Sequence, residues 1–197
     1  MLQEIIETIS NGHVPSYWIN NYGVPTKGNC RIAHIENWLK KFSIEIVNPN
    51  MRNKINPSYC GGVIYLPEIN YVPNIEQYYI GAFHEIIHYI GDMKHDIYFK
   101  NAWSNERQHA QEEIIAQIGA LILVKKFNLK LQKETLINEY AYLKLYLKKY
   151  TLPNLKQYLF FDRDGNEYYI EDLRKCYSIA LERINYIILN QDTVTYT

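Results

Sequence analysis

The sequence predicts an α+β fold: a small, mostly antiparallel sheet packed on two central helices, with further helices filling the C-terminal half. Three observations lead there. From 74 to 90 the chain is apolar almost all round, with Ile75, Tyr79, Phe83, Ile86, Ile87 and Ile90, which marks a buried helix. From 108 to 120 apolar residues recur at 110, 114, 115 and 118, one face of a second helix. Ahead of both, the short runs 43–47 and 62–67 read as strands. At 197 residues and 47% hydrophobic, the chain is long enough to bury a core of ordinary size.

In chain order, residues 2–10 form a short amphipathic helix ended by Asn11-Gly12. Residues 13–29 hold His13, Pro15, Trp18, Gly23, Pro25 and Gly28, the composition of an ordered loop, so 1–32 is an N-terminal extension and 33–197 a single domain. Trp18 and Tyr22 are expected to seat that loop on the core rather than to stack nucleic-acid bases. Residues 33–42 read as a helix with Ile35, Trp38, Leu39 and Phe42 inward, and 48–58 as a polar loop. The strand 62–67 ends at Pro67, which suits a free edge able to hold a substrate as an added strand, or the end of an internal strand. Gly61-Gly62 marks a bulge or a place where another backbone comes close.

The next helix has its own punctuation. Asn74 and Gln77 make a capping box, Pro73 precedes it, and Gly91 suits a left-handed C-terminal position, giving about sixteen residues or roughly 24 Å. Residues 135–150 are strongly helical. Two runs, 158–161 and 167–170, flank Asp-Gly as a hairpin; 162–166 resembles a calcium loop only superficially, since Gly165 is misplaced. A helix over 173–189 closes the chain.

Composition excludes several classes. Twenty-one basic and 21 acidic residues give no net charge, hence no electrostatic footprint for nucleic acid. Three cysteines, at 30, 60 and 176, lack ligand spacing and read as reduced thiols. The acidic start is no signal peptide, and the longest apolar run, near 118–124, falls far short of the ~20 residues that span a bilayer. A cytoplasmic protein without membrane contact is expected.

Chemistry enters at His84-Glu85-Ile86-Ile87-His88. Residues four apart on a helix lie one above the other, so both imidazoles reach one metal ion from one face. Glu85 stands beside them, placed to take a proton from a water that zinc polarises. Two histidines and a glutamate on a buried helix cost several kcal/mol unless something pairs them. A third ligand is required. In the metzincin pattern the third histidine would fall at Lys94, one residue before His95, and no later Met supplies the turn of that family. A glutamate from the second helix fits better: Glu113 would bind metal, as in gluzincins, and Gln117, one turn on, would hydrogen-bond a ligand imidazole. Glu112 competes with Glu113, but its partner one turn on is Ala116, which orients nothing; His109 reads as a solvated first-turn residue. Tyr140 or Tyr142 is placed to donate to the oxyanion of peptide hydrolysis.

Two blocks, Tyr59–Pro67 running on through Tyr78–Gly91, and Glu112–Ala120, resemble the zincin-like metallopeptidase domain of ArdC-type antirestriction proteins. The resemblance spans about Ala33 to the end and implies a zincin-like fold, Zn2+ on His84, His88 and Glu113, and Glu85 as catalytic base. It implies a zinc metallopeptidase from plasmids or phages acting on a protein or peptide substrate. Gln117 stands where that family usually has a carboxylate, and 1–32 is too short for its single-stranded-DNA-binding domain, so DNA binding does not follow. The other reading is a non-catalytic binding protein on the same scaffold, a decoy against host defence or a binder of single-stranded DNA.

Overall fold

The two helices expected at the centre are there, and their first turns explain where they start. The computed structural model describes residues 1–11, 31–47, 56–72, 74–150, 159–161 and 167–189. The loop 13–29 with Trp18 and Tyr22, most of the polar loop 48–58, and the calcium-like run 162–166 lie outside them. In order, the elements are α1 (Leu2–Asn11), α2 (Ala33–Leu39), β1 (Ile44–Val47), β2 (Ser58–Cys60), β3 (Val63–Pro67), α3 (Ile75–Met93), α4 (Ile97–Asn101), α5 (Glu106–Lys126), α6 (Lys133–Tyr150), β4 (Leu159–Phe161), β5 (Glu167–Tyr169) and α7 (Ile170–Leu189). Asn74 caps α3 by accepting the Gln77 N–H at 2.8 Å, and Asn105 caps α5 by accepting that of Gln108 at 2.9 Å.

Helix α3 runs past the point where the sequence suggested it ends. Gly91 is helical, and the left-handed residue is His95, at φ 51°. His95 N–H bonds Asp92 O and Asp96 N–H bonds Gly91 O, the paired closure of a Schellman motif. Gly91 is glycine for a different reason: a Cβ there would lie 2.7 Å from Cζ of Arg183 on α7. Gly119 does the same for helix packing, since its Cβ would come within 2.6 Å of Ile87 Cγ1. That contact lets α5 lie close against α3, with Phe83, Ile86, Ile87, Ile114, Ile115 and Ile118 fully buried around it. Helices α6 and α7 pack on α5 as well.

The sheet differs from expectation. Its order is β1-β3-β2, with β1 parallel to β3 (Ile44↔Ile64 to Val47↔Pro67) and β2 antiparallel (Ser58↔Tyr65 to Cys60↔Val63), so it is mixed rather than mostly antiparallel. Strand β3 is therefore internal, and the edges are β1 and β2. Gly61 and Gly62, at φ 57° and 83°, form a two-residue hairpin turn that pairs β2 with β3. They form a turn rather than a bulge. Alternating hydrophobicity specifies which face of a strand is buried but not the direction of its neighbour, which is why the parallel pairing was illegible. Strands β4 and β5 pair antiparallel, Leu159 opposite Tyr169, as the hairpin reading required. Cys60 and Cys176 are free thiols. Among the described residues no helix is long and apolar enough to cross a membrane.

Candidate metal centre

Helical spacing brings two stripes face to face. On α3, Gln77, Gly81, His84 and His88 follow one another at intervals of three or four residues; on α5, His109, Glu113 and Gln117 follow at intervals of four. Both stripes, with Ser58 and Tyr59 of edge strand β2 and Tyr142 of α6, line one cleft of about 740 Å³.

At its floor three ligand atoms converge. Nε2 of His84 and Nε2 of His88 are 3.1 Å apart; Glu113 Oε2 lies 3.3 Å from the first and Glu113 Oε1 3.6 Å from the second, and one ligand atom from each of the three residues lies within 4.8 Å of the others. Tetrahedral bonds of about 2.0–2.1 Å separate ligand atoms by roughly 3.3 Å, so the cluster is near the dimensions of a zinc site. The other ring nitrogens fix which side of each imidazole faces the triangle. His84 Nδ1 lies 3.1 Å from Gln117 Oε1, and the Gln117 amide nitrogen donates to Glu139 at 2.7 Å, so Gln117 presents its carbonyl to the ring. His88 Nδ1 lies 2.9 Å from Glu112 Oε1. Each imidazole therefore donates from Nδ1 and turns a lone pair inward from Nε2. Two lone pairs at 3.1 Å, beside a carboxylate, repel unless a positive charge sits among them. The donor set, two imidazoles and one carboxylate with their outer nitrogens hydrogen-bonded, is that of a zinc site with room for a further ligand.

Titration follows the same geometry. Burial lowers the His84 pKa, but the Glu113 hydrogen bond and the charges of Glu85 and Glu113 outweigh it and lift it to about 9. Burial raises Glu113, but His84, the charge of His88 and the Tyr142 hydroxyl pull it down to about 2. One proton held inside the triangle does for the metal-free protein what a cation would do otherwise.

Behind His88 stands a buried ion pair. Arg183, fully buried, grips Glu112 with two bonds of 2.6 and 2.8 Å, and also reaches Asp96 and the carbonyl of Ile87. Burial pushes Glu112 up, but His88 and Arg183 prevail and hold it below its ordinary value. Glu112 thus faces away from the triangle and orients His88. Glu85, 9% exposed, lines the cleft beside the two imidazoles.

Two sequence expectations change. Tyr140 is a core residue, not a cleft residue, because positions two apart on a helix face different ways and Tyr142 takes the cleft. The Tyr142 hydroxyl is spent on Glu113 Oε2, and burial together with the Glu113 charge drives its pKa far up, so it steadies a carboxylate rather than waiting for an oxyanion. His109, read as a solvated residue, is on the cleft wall with Nε2 3.8 Å from Glu113 Oε1. Sequence reasoning missed Glu139 and Arg183. Arg183 had a signal: it falls on the apolar stripe Leu173, Cys176, Ala180 of α7, a lone cation on an inward face. Glu139 had none, as nothing in α6 alone points to Gln117.

A family profile described as a zincin-like metallopeptidase matches residues 33–157. No curated protein and no solved structure matches the chain.

Proposed function

The chain belongs to the zincin-like metallopeptidases, and from that premise we propose that it is a zinc-dependent peptidase of the ArdC antirestriction type, cleaving peptide bonds of a protein or peptide substrate. One observation supports this most: side chains 24 or more residues apart in pairing, on α3 and α5, converge with ligand spacing and with their outer nitrogens already engaged. In this reading His84, His88 and Glu113 hold the metal, and Gln117, Glu112 and Tyr142 fix their orientation. Bound zinc supplies Lewis acidity and brings the pKa of water near 7.

The chain's own residues do the rest. Among the described residues strand β2 is an edge of the sheet and lines the cleft, where a peptide can add as a strand and be held by backbone hydrogen bonds. Tyr59 anchors that edge, its hydroxyl donating to Asp92 at the end of α3 and accepting the Gly62 N–H at 3.1 Å. Glu85 takes the proton of the attacking water and returns it to the leaving amine. A cytoplasmic setting agrees with the free thiols, and the balanced charge favours a protein substrate over nucleic acid.

Glu85→Gln tests the proposal. It removes the base while keeping size and the metal triangle, so the variant should retain zinc and fold yet lose peptide cleavage by about 10²–10⁴-fold. A variant that keeps its full biological effect would turn the protein into a binding scaffold instead.

A further inference from the structure

Resting on the peptidase reading above, we infer that His109 is a further catalytic residue: its Nε2–H donates to the carbonyl oxygen of the scissile bond as that oxygen gains negative charge. His109 precedes Glu113 by one helical turn, and its Nε2 lies 3.8 Å from Glu113 Oε1, on the cleft side of the triangle. The nearby carboxylate favours the tautomer with hydrogen on Nε2. The ring is held rather than loose. Trp103 stacks on it with centroids 5.4 Å apart and planes at 29°, and Tyr146 meets it edge-on at 6.0 Å. With its side chain 35% exposed, the ring stays open to the cleft. Trp103 is itself 73% exposed, an unusual position for tryptophan that bracing this imidazole explains.

Three other donors at the cleft are engaged, while the Ser58 hydroxyl, without a hydrogen-bond partner among the described residues, belongs to edge strand β2 rather than to the glutamate stripe. Tyr142 is bonded to Glu113, the Gln117 amide to Glu139, and the Tyr59 hydroxyl to Asp92. Tyr140 is in the core. His109 is the donor whose position on the glutamate stripe leaves it facing the reacting carbonyl.

In the step, water oxygen bonds to the carbonyl carbon and its proton passes to Glu85, while the C=O π pair moves onto oxygen, where the His109 N–H meets it. The C–N bond then breaks, the pair returns to reform C=O, and the amine nitrogen leaves with the proton from Glu85. The products are a carboxylic acid and an amine. His109 keeps its proton throughout and stabilises only the charged intermediate stage, so its contribution belongs to kcat.

The test compares His109→Ala and His109→Gln with the parent protein, measuring zinc affinity, peptide cleavage, and the binding of two inhibitors to zinc-loaded protein. One is a phosphinic peptide, tetrahedral and anionic like the intermediate; the other is a simple hydroxamate that needs the metal and little else. His109→Ala should lose about 10²–10³-fold in kcat with KM and zinc affinity unchanged, and phosphinic-peptide affinity should fall while hydroxamate affinity holds. His109→Gln, which keeps an N–H donor, should regain part of both. Unchanged kcat, or a loss matched by lost zinc, overturns the assignment, as does an equal fall for both inhibitors. If the parent protein cleaves no peptide, the peptidase reading fails separately, and an undiminished phosphinic-peptide affinity in His109→Ala still removes the role from His109.

Discussion

Arg183→Met separates the stability of this fold from the tuning of its site. The arginine is fully buried, Glu112 is 2% exposed, and the two bonds between them are 2.6 and 2.8 Å long. Methionine fills much of the volume but leaves Glu112 charged in the core with His88 as its main remaining partner. Removing one member of such a pair costs about 3–5 kcal/mol, because the survivor remains desolvated. At roughly 2–4 °C per kcal/mol for a chain of this size, the melting temperature should fall by about 6–20 °C. Removing both charges, in Arg183→Met with Glu112→Leu, should return most of that loss, since a hydrophobic pair of similar volume carries no desolvated charge.

Zinc affinity should move the other way between the two variants. The double variant has no acceptor for His88 Nδ1–H, so its affinity should drop by about 10–100-fold although its fold is restored. Thermal unfolding of chelated protein and a competition titration with a zinc chelator read the two quantities apart. The sign with pH is fixed too: Glu112 sits below its ordinary 4.5 when folded, so its contribution is present above 4.5 and is lost as pH falls through the lowered value. The Arg183→Met penalty should therefore shrink in acid. An Arg183→Met protein melting with the parent, or a double variant with parental zinc affinity, would refute the reasoning.

Proton and metal should compete for the triangle. With His84 lifted to about 9 in the metal-free protein, zinc binding at pH 7 displaces that proton, so affinity should rise with pH until about 9; calorimetry in buffers of different ionisation enthalpy counts the protons released. The same shift stabilises the metal-free fold, fully below the unfolded value of 6.5 and decreasingly as pH rises through 9. Gly119→Ala should lose about 1–3 kcal/mol or more in denaturant unfolding, because its Cβ would press to 2.6 Å from Ile87 Cγ1 and force α3 from α5, separating the two stripes. Parental stability and zinc content in that variant would show that the helices tolerate wider spacing.

Much of the site was legible because it depends on helical spacing. His84 and His88 at four residues, and Glu113 and Gln117 at four, are read from a string as well as from coordinates. So was the cap Asn74, since an N-cap depends on only a few residues of chain. What remained hidden depends on contacts between distant segments. Gly91 looked like a helix end, yet its missing Cβ makes room for an arginine 92 positions later. The parallel pairing of β1 with β3, and the distinction between Tyr140 and Tyr142, likewise wait on which surfaces meet.

The backing of the two imidazoles differs in a way that bears on Gln117. His88 donates to a carboxylate whose charge Arg183 neutralises; His84 donates to a neutral amide whose far end is bound to the Glu139 carboxylate at 2.7 Å. A carboxylate directly behind His84 would polarise that ring more strongly than an amide does. Here the negative charge is present but one residue further out, and the amide passes on its orientation: with NH₂ held by Glu139, the carbonyl oxygen must face the ring. Glu139 is pushed up by burial and drawn back by the Gln117 hydrogen bond, so its charge depends on the same amide. The neutral residue at 117 therefore costs polarising strength but not ring geometry, and restoring a carboxylate there would set two acids against each other at hydrogen-bond distance. Gln117→Glu should accordingly not tighten zinc unless Glu139 is changed to Gln as well, a coupling that a double-variant cycle on zinc affinity measures. Additive effects of the two substitutions would mean that Glu139 plays no part in orienting the amide.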